Sequence, residues 1–249
     1  MIHYVDNYLI NPKHNITCSI IGAGGTGSFS SFAVAEISYV LQQMNRFGID
    51  CVIYDKDQVM SHNCGRSRFS TSQIGLNKAV ALATSINRYY GFDYTAVPDW
   101  FNKEAKPSNI YIICVDSAKE RKKIYKIIRD INCNDEAYKP LYIIDAGNGK
   151  DFAQVILSTV DNIKQPSSKY DTTEVLKSPL ALFKDEMVDD NEEPSCSTYQ
   201  ALQKQDLLIN KFTAMMIEKM LWSMFRDICL DYQGIFFNLE TLKLTKLKI

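Results

Sequence analysis

No stretch of this 249-residue chain stays apolar over the roughly 20 residues that a membrane-spanning helix requires, so no bilayer span is expected. The first residues, Met1-Ile2-His3-Tyr4-Val5-Asp6, carry neither the basic segment nor the apolar core of a secretion signal, and the chain reads as cytoplasmic. Charge of one sign is also lacking. Lys and Arg total 28 against 29 for Asp and Glu, a formal net charge of −1, which excludes any global bias toward nucleic acid or anionic lipid. There is no C-x-x-C pair among the seven cysteines, which argues against a structural zinc site of the usual spacing. Cys18, Cys51 and Cys114 instead sit inside apolar runs, as small core residues in a reducing compartment do. No internal repeat and no linker-like stretch interrupts the chain, so residues 1–249 are read as one domain.

What is present is concentrated between Ile16 and Arg68. An apolar run, 16–21, breaks into Gly22-Ala23-Gly24-Gly25-Thr26-Gly27. A segment with apolar residues at helical spacing follows to about Arg46, and a second apolar run, 51–54, ends on Asp55. Strand, glycine turn, helix, strand, acid is the context that makes a G-x-G-x-x-G a nucleotide site. The glycines let backbone approach phosphate closely, the helix presents unpaired N–H groups and its positive dipole end, and the acid can accept from ribose hydroxyls.

Further along, helices are expected over about 75–90, 118–131 and 199–229, and strands over about 94–97, 110–115, 141–144 and 154–159. Two closing antiparallel strands are expected over 234–239 and 243–249. The alternation predicts an α/β, Rossmann-like doubly wound, mostly parallel sheet with antiparallel strands added toward the C-terminus. Residues 1–15 read as a polar surface lead-in, and 160–198, with its acidic run, as a crossover loop. The charges of 118–131, Lys119, Arg121, Lys122, Lys123 and Lys126, read as a solvated helix face. Three strands end on an acid, Asp55, Asp116 and Asp145, and the topology could gather these at the crevice outside the carboxyl ends of the strands.

The long polar loop after Asp55 carries the chemistry. Arg66, Arg68 and Lys78 lie close in sequence to a site that already favours phosphate, an excess suited to a triphosphate and to a departing pyrophosphate. Asp116, ending a central strand, is placed to hold Mg²⁺, which prefers carboxylates plus phosphate oxygens. The set points to attack on the α-phosphate of ATP. A dehydrogenase using NAD would account for the glycine turn and Asp55, but not for the cations.

Taken in order, Gly22-x-Gly24-Gly25-x-Gly27, Asp55-x-Asp57-x-Val59, Asn63-x-x-Arg66, Gly75-x-x-Lys78 and Cys114-Val115-Asp116 resemble the adenylation domain of the ThiF/MoeB/ubiquitin-activating superfamily. Asp145-Ala146-Gly147-Asn148, Gln154-Val155-Ile156-Leu157, Pro194-Ser195-Cys196-Ser197 and Gln205-Asp206-Leu207-Leu208-Ile209-Asn210 are similar to one branch, the ThiF-family protein of the PRTRC cassette of plasmids and other mobile elements. The resemblance implies MgATP-dependent adenylation of the C-terminal carboxylate of a small ubiquitin-like β-grasp protein. It implies Asp55 on the ribose, Asp57 in the same nucleotide motif, Asn63, Arg66 and Lys78 on the phosphates, and Asp116 on Mg²⁺. In some relatives the acyl group then moves to a cysteine, for which Cys196 is the candidate. Homodimerisation is a further expectation of the family. Residues 1–15 depart from it: they hold no arginine, where many relatives carry one that completes the partner's ATP site. A non-catalytic module that binds nucleotide or a partner's tail is the alternative this leaves open.

Overall fold

The computed structural model describes residues 1–133, 135–167, 169–183 and 205–249. Four apolar runs form the centre: β2 (Ile16–Ile21), β3 (Ile49–Tyr54), β5 (Ile110–Ile113) and β6 (Tyr142–Asn148). Every residue of β5 is buried, as expected of a parallel strand covered on both faces. β4 (Thr95–Val97) pairs parallel with β3 at one edge. On the other side β6 turns back into β7 (Phe152–Thr159), and β9 (Tyr232–Asn238) and β10 (Lys243–Lys248) extend the sheet antiparallel. The eight strands run in the order β10-β9-β7-β6-β5-β2-β3-β4, so the expected architecture, parallel first and antiparallel toward the C-terminus, is the one observed.

Helices cover both faces. α2 (Gly25–Gln43), α3 (Lys78–Tyr90) and α6 (Ile209–Asp227) bury Val34, Ile37, Leu41, Leu82, Ile86, Ile217, Met220 and Met224 with the alternate strand residues Cys18, Ile20, Ile110 and Ile112. On the opposite face α4 (Ala118–Arg129) buries Ile124, Tyr125 and Ile128 against Ile21, Tyr111, Ile113 and Ile143. Residues i and i+2 of each strand thus serve one core and their neighbours the other. The helix ends follow local chemistry. Asn77 and Ser117 accept from the backbone N–H groups of Val80 and Glu120, and α3 stops at Gly91 in a left-handed conformation.

The first 15 residues are not a surface lead-in. β1 (His3–Tyr4) pairs antiparallel with β8 (Cys229–Leu230), a short α1 (Asn7–Ile10) follows, and Val5 and Leu9 are buried. His3 Nδ1 donates to the Thr173 carbonyl at 2.8 Å, while Nε2 accepts from the Tyr142 hydroxyl at 2.9 Å. That hydroxyl also accepts from the Asp6 N–H at 2.9 Å, tying the N-terminus to the central strand β6. The segment after β7 also contributes to the core, with Leu176 buried and α5 spanning Pro179–Leu182. The expected helix over 199–229 starts, within the described residues, at Ile209.

Candidate functional site

The site grows from the turn between β2 and α2. Gly22 holds φ +92°, and Gly27 lies so close to it that a Cβ there would sit 1.8 Å from the Gly22 carbonyl oxygen. This close approach folds the first turn of α2 directly onto the end of β2. Gly24 is the N-cap and offers no side-chain acceptor, so the N–H groups of the first turn keep their capacity to bind an anion.

Asp55, just past β3, braces this turn: its carboxylate accepts from the Ala23 N–H at 2.6 Å and the Asp57 N–H at 2.8 Å. Each oxygen keeps a lone pair for a further donor. Burial raises the carboxyl's pKa above the ordinary value, against the pull of nearby Lys78 and of the two backbone donors. Asn77, which the sequence reading passed over, fixes the loop from the other side. Its Nδ2 donates to the Asp55 and Asp57 carbonyls at 2.7 and 3.1 Å while its Oδ1 caps α3. A polar residue just before a helical run is the signal that would have found it.

The candidate phosphate residues converge. Lys78 Nζ lies 3.1 Å from Asp57 Oδ2, with the lysine largely covered and the aspartate exposed. Arg66 and Lys78 both act electrostatically on His62, whose pKa is lowered first by burial and then by these two cations. Arg66 Nη2 donates to Gln205 Oε1 at 3.0 Å, and its Nε is buried with no hydrogen-bond partner. Burial lowers the pKa of this guanidinium. Asn63 is buried, and its Oδ1 accepts from the Met60 N–H at 2.8 Å, closing a one-turn helix over Ser61–Asn63. Arg68 turns aside: its guanidinium lies 5.5 and 5.0 Å from the Phe29 and Phe32 ring centres.

Asp116 is exposed beyond β5, at the rim of the crevice. It and Asp57 both raise the pKa of Glu120, after burial, so these carboxylates share one neighbourhood. Among the described residues no group of three or more His, Cys, Asp or Glu side chains is arranged to hold a metal by itself. Mg²⁺ held here would take Asp116 together with phosphate oxygens, the donor set that ion favours.

Two expectations are corrected. Asp145 does not end its strand facing the crevice. It lies within β6, 3% exposed, in an ion pair with Arg121. Arg121 in turn is not on a solvated face: it is 7% exposed and also donates to the Val115 and Ala146 carbonyls. A charge in a basic run looks solvated until the fold supplies a buried counter-charge. The candidate nucleophile Cys196 lies outside the described residues.

The sequence reading gave no role to a cluster of neutral side chains beside the glycine turn. Asn210 Oδ1, at the start of α6, accepts from Thr26 Oγ1 at 3.1 Å and from Asn148 Nδ2, at the end of β6, at 2.9 Å.

The Rossmann-like α/β sheet that carries this glycine turn defines the class by architecture, and solved structures share that fold. The chain is similar to PaaA (TM-score 0.62, 14% identity) over 94% of its own length and 64% of that chain. It is similar to MccB of E. coli (TM-score 0.62, 14% identity) over 94% and 62%. A structure of MccB with AMPCPP and MccA matches at TM-score 0.56 and 15% identity, over 94% and 64%. The chain therefore spans under two thirds of the length of these proteins, and at such identity the likeness establishes the fold. No protein-family model and no curated protein matches the sequence.

Proposed function

We propose that the protein is an adenylating enzyme of the ThiF/MoeB type, transferring AMP from ATP to the C-terminal carboxylate of a protein or peptide. The observation that carries this reading is Arg66. A half-buried guanidinium whose Nε has no partner among the described residues, and whose Nη2 donates to a neutral amide, lies on the loop whose Arg68 N–H donates to Ser28 Oγ in the first turn of the uncapped helix α2. An unpaired cation at such a place favours a phosphate. The AMPCPP in the MccB structure is an ATP analogue carried by the same fold, and its MccA is a second ligand of that protein.

In this reading Asp55 accepts from the ribose, and the Gly22–Gly27 turn lets the phosphates reach the N–H groups of α2. Arg66 and Lys78, with Asn63 on the same loop, neutralise the β- and γ-phosphates. Lys78 exchanges Asp57 for phosphate. Mg²⁺ on Asp116 would supply charge neutralisation at the phosphate oxygens. A carboxylate oxygen of the substrate forms a bond to the α-phosphorus, and the bond from that phosphorus to the bridging oxygen of pyrophosphate breaks. The electron pair leaves with pyrophosphate. The attacking carboxylate is already ionised, so positioning and charge stabilisation supply the catalysis.

The finer reading follows the sequence resemblance: a small ubiquitin-like protein as substrate, a homodimer, a PRTRC-type setting and, at Cys196, a thioester. The test is ATP–pyrophosphate exchange with MgATP, labelled pyrophosphate and β-grasp proteins whose C-terminus is intact or removed. Exchange that needs the intact C-terminus and disappears in Arg66→Ala and Asp116→Ala is the expected result. Absence of exchange in a protein that still binds ATP would replace this reading with a non-catalytic binding module. A reductant-sensitive adduct lost in Cys196→Ala would mark the thioester.

A further inference from the structure

Asn210 combines features that a merely structural amide does not need together. It is 3% exposed and is the second residue of α6. Its Oδ1 is doubly satisfied by Thr26 and Asn148, which fixes the orientation of the amide. Its Nδ2 is buried and has no hydrogen-bond partner among the described residues. The amide lies face-on against Gly25, the first residue of α2: a Cβ on Gly25 would sit 2.5 Å from its Cγ and 2.6 Å from both Nδ2 and Oδ1. A buried amide nitrogen without an acceptor costs roughly 1–3 kcal/mol, so an acceptor supplied from outside the chain would relieve it.

Sheet order says which reactant that acceptor belongs to. β2 lies between β3 and β5, and β6 lies beyond β5. Asp55 follows β3, so a ribose bound there puts the nucleoside on the β3 side of the glycine turn. Arg66 and Lys78 belong to the loop and helix that follow β3. Asn148, Asn210 and Thr26 close the other side, where β6 ends and α6 begins. There the carboxylate must reach the α-phosphate from the face the nucleoside leaves open. The donor is neutral, which suits a carbonyl oxygen better than a second full charge would.

Resting on the adenylation reading above, we infer that Asn210 is a positioning residue for the acyl end of the substrate. Its Nδ2 donates to the carbonyl oxygen of the carboxylate that becomes the acyl adenylate, and Asn148 and Thr26 hold the amide in that orientation.

The experiment measures affinity for two probes, AMP and 5′-O-(N-glycylsulfamoyl)adenosine, a stable analogue of an acyl adenylate. The ratio of the two affinities isolates the acyl end. In Asn210→Asp the shape is kept and the donor is lost, and the preference for the acyl analogue is expected to fall about tenfold or more. Asn148→Asp gives the Asn210 amide an acceptor where it now meets a donor. It should flip the amide so that Nδ2 donates to the new carboxylate at position 148 and no longer faces the substrate, lowering the ratio likewise, which keeps the inference testable if Asn210→Asp does not fold. A wild-type protein that binds neither ATP nor AMP removes the adenylation reading and this inference with it. A wild type that binds both nucleotides but does not prefer the acyl analogue, or keeps an unchanged ratio in the folded variants, overturns the role of Asn210 and leaves the adenylation reading standing.

Discussion

Replacing Gly27 by alanine tests whether the glycine turn is held by close approach of backbone to backbone. The added Cβ would lie 1.8 Å from the Gly22 carbonyl oxygen and 2.8 Å from its carbon. Close C···O contacts in proteins lie near 3.3 Å, so the two segments must separate by about 1.5 Å. The obstacle is main chain on both sides, the end of β2 and the first turn of α2, and no side chain can rotate to relieve it. The cost should therefore reach the upper end of overpacking, about 3 kcal/mol, which lowers Tm by about 6–12 °C in a chain of this size. The same displacement would turn the first N–H groups of α2 away from the crevice, so AMP affinity should fall with stability. Gly24→Ala is the steric control: among the described residues a Cβ there meets no heavy atom within 4 Å, so only the backbone conformation, φ −73° and ψ −142°, opposes it. Urea unfolding and thermal melts of the two variants, with AMP titration of Gly27→Ala, decide the matter. A Gly27→Ala protein as stable and as avid for AMP as the wild type would refute the reasoning.

Asp145→Ala should destabilise by about 3–5 kcal/mol in urea unfolding, because it strips the buried Arg121 guanidinium of its counter-charge; a loss below 1 kcal/mol would show that the carbonyl partners suffice. Burial lowers the pKa of His3, so the unfolded chain takes up a proton that the folded one refuses as pH falls below about 6.5. The stability contributed by neutral His3 is then present above that value and lost below it, and the urea midpoint of the wild type should drop between pH 7 and pH 5 more than that of His3→Gln. Arg66→Lys should weaken AMPCPP binding at least about tenfold in calorimetry, since a point charge on a flexible stem cannot replace a half-buried fork; equal affinity would remove Arg66 from the phosphate site.

How far the sequence could be read depended on the range of each signal. The β2–glycine turn–α2–β3 unit was legible because strand, turn and helix are each encoded within a few residues, and Asp55 marks the strand end in the same local way. The N-terminal segment was misread because its burial depends on β8 and on Tyr142 and Thr173, partners more than a hundred residues distant, and a short segment shows nothing of them. Arg121 was misread for the same reason. The amphipathic pattern of α4 places apolar residues correctly, yet Arg121 is aimed at β6 by the tertiary fold alone. Asn210 is the extreme case: one amide in an apolar helix carries no signal until Thr26 and Asn148 converge on it.

These corrections change the electrostatics of the crevice. Reading three strand-end acids as neighbours gives a site whose negative charge opposes phosphate. With Asp145 withdrawn into the sheet and neutralised by Arg121, the acids left near the turn have separate partners or exposures. Asp55 accepts from the backbone of the turn, Asp57 is paired with Lys78, and Asp116 is exposed beyond β5. Arg66, facing a neutral glutamine, has no carboxylate partner among the described residues. On the adenylation reading the guanidinium and the N-terminus of α2 then act together on the nucleotide, and both favour an anion. On that reading, the withdrawal of Asp145 leaves one carboxylate fewer to oppose the phosphates.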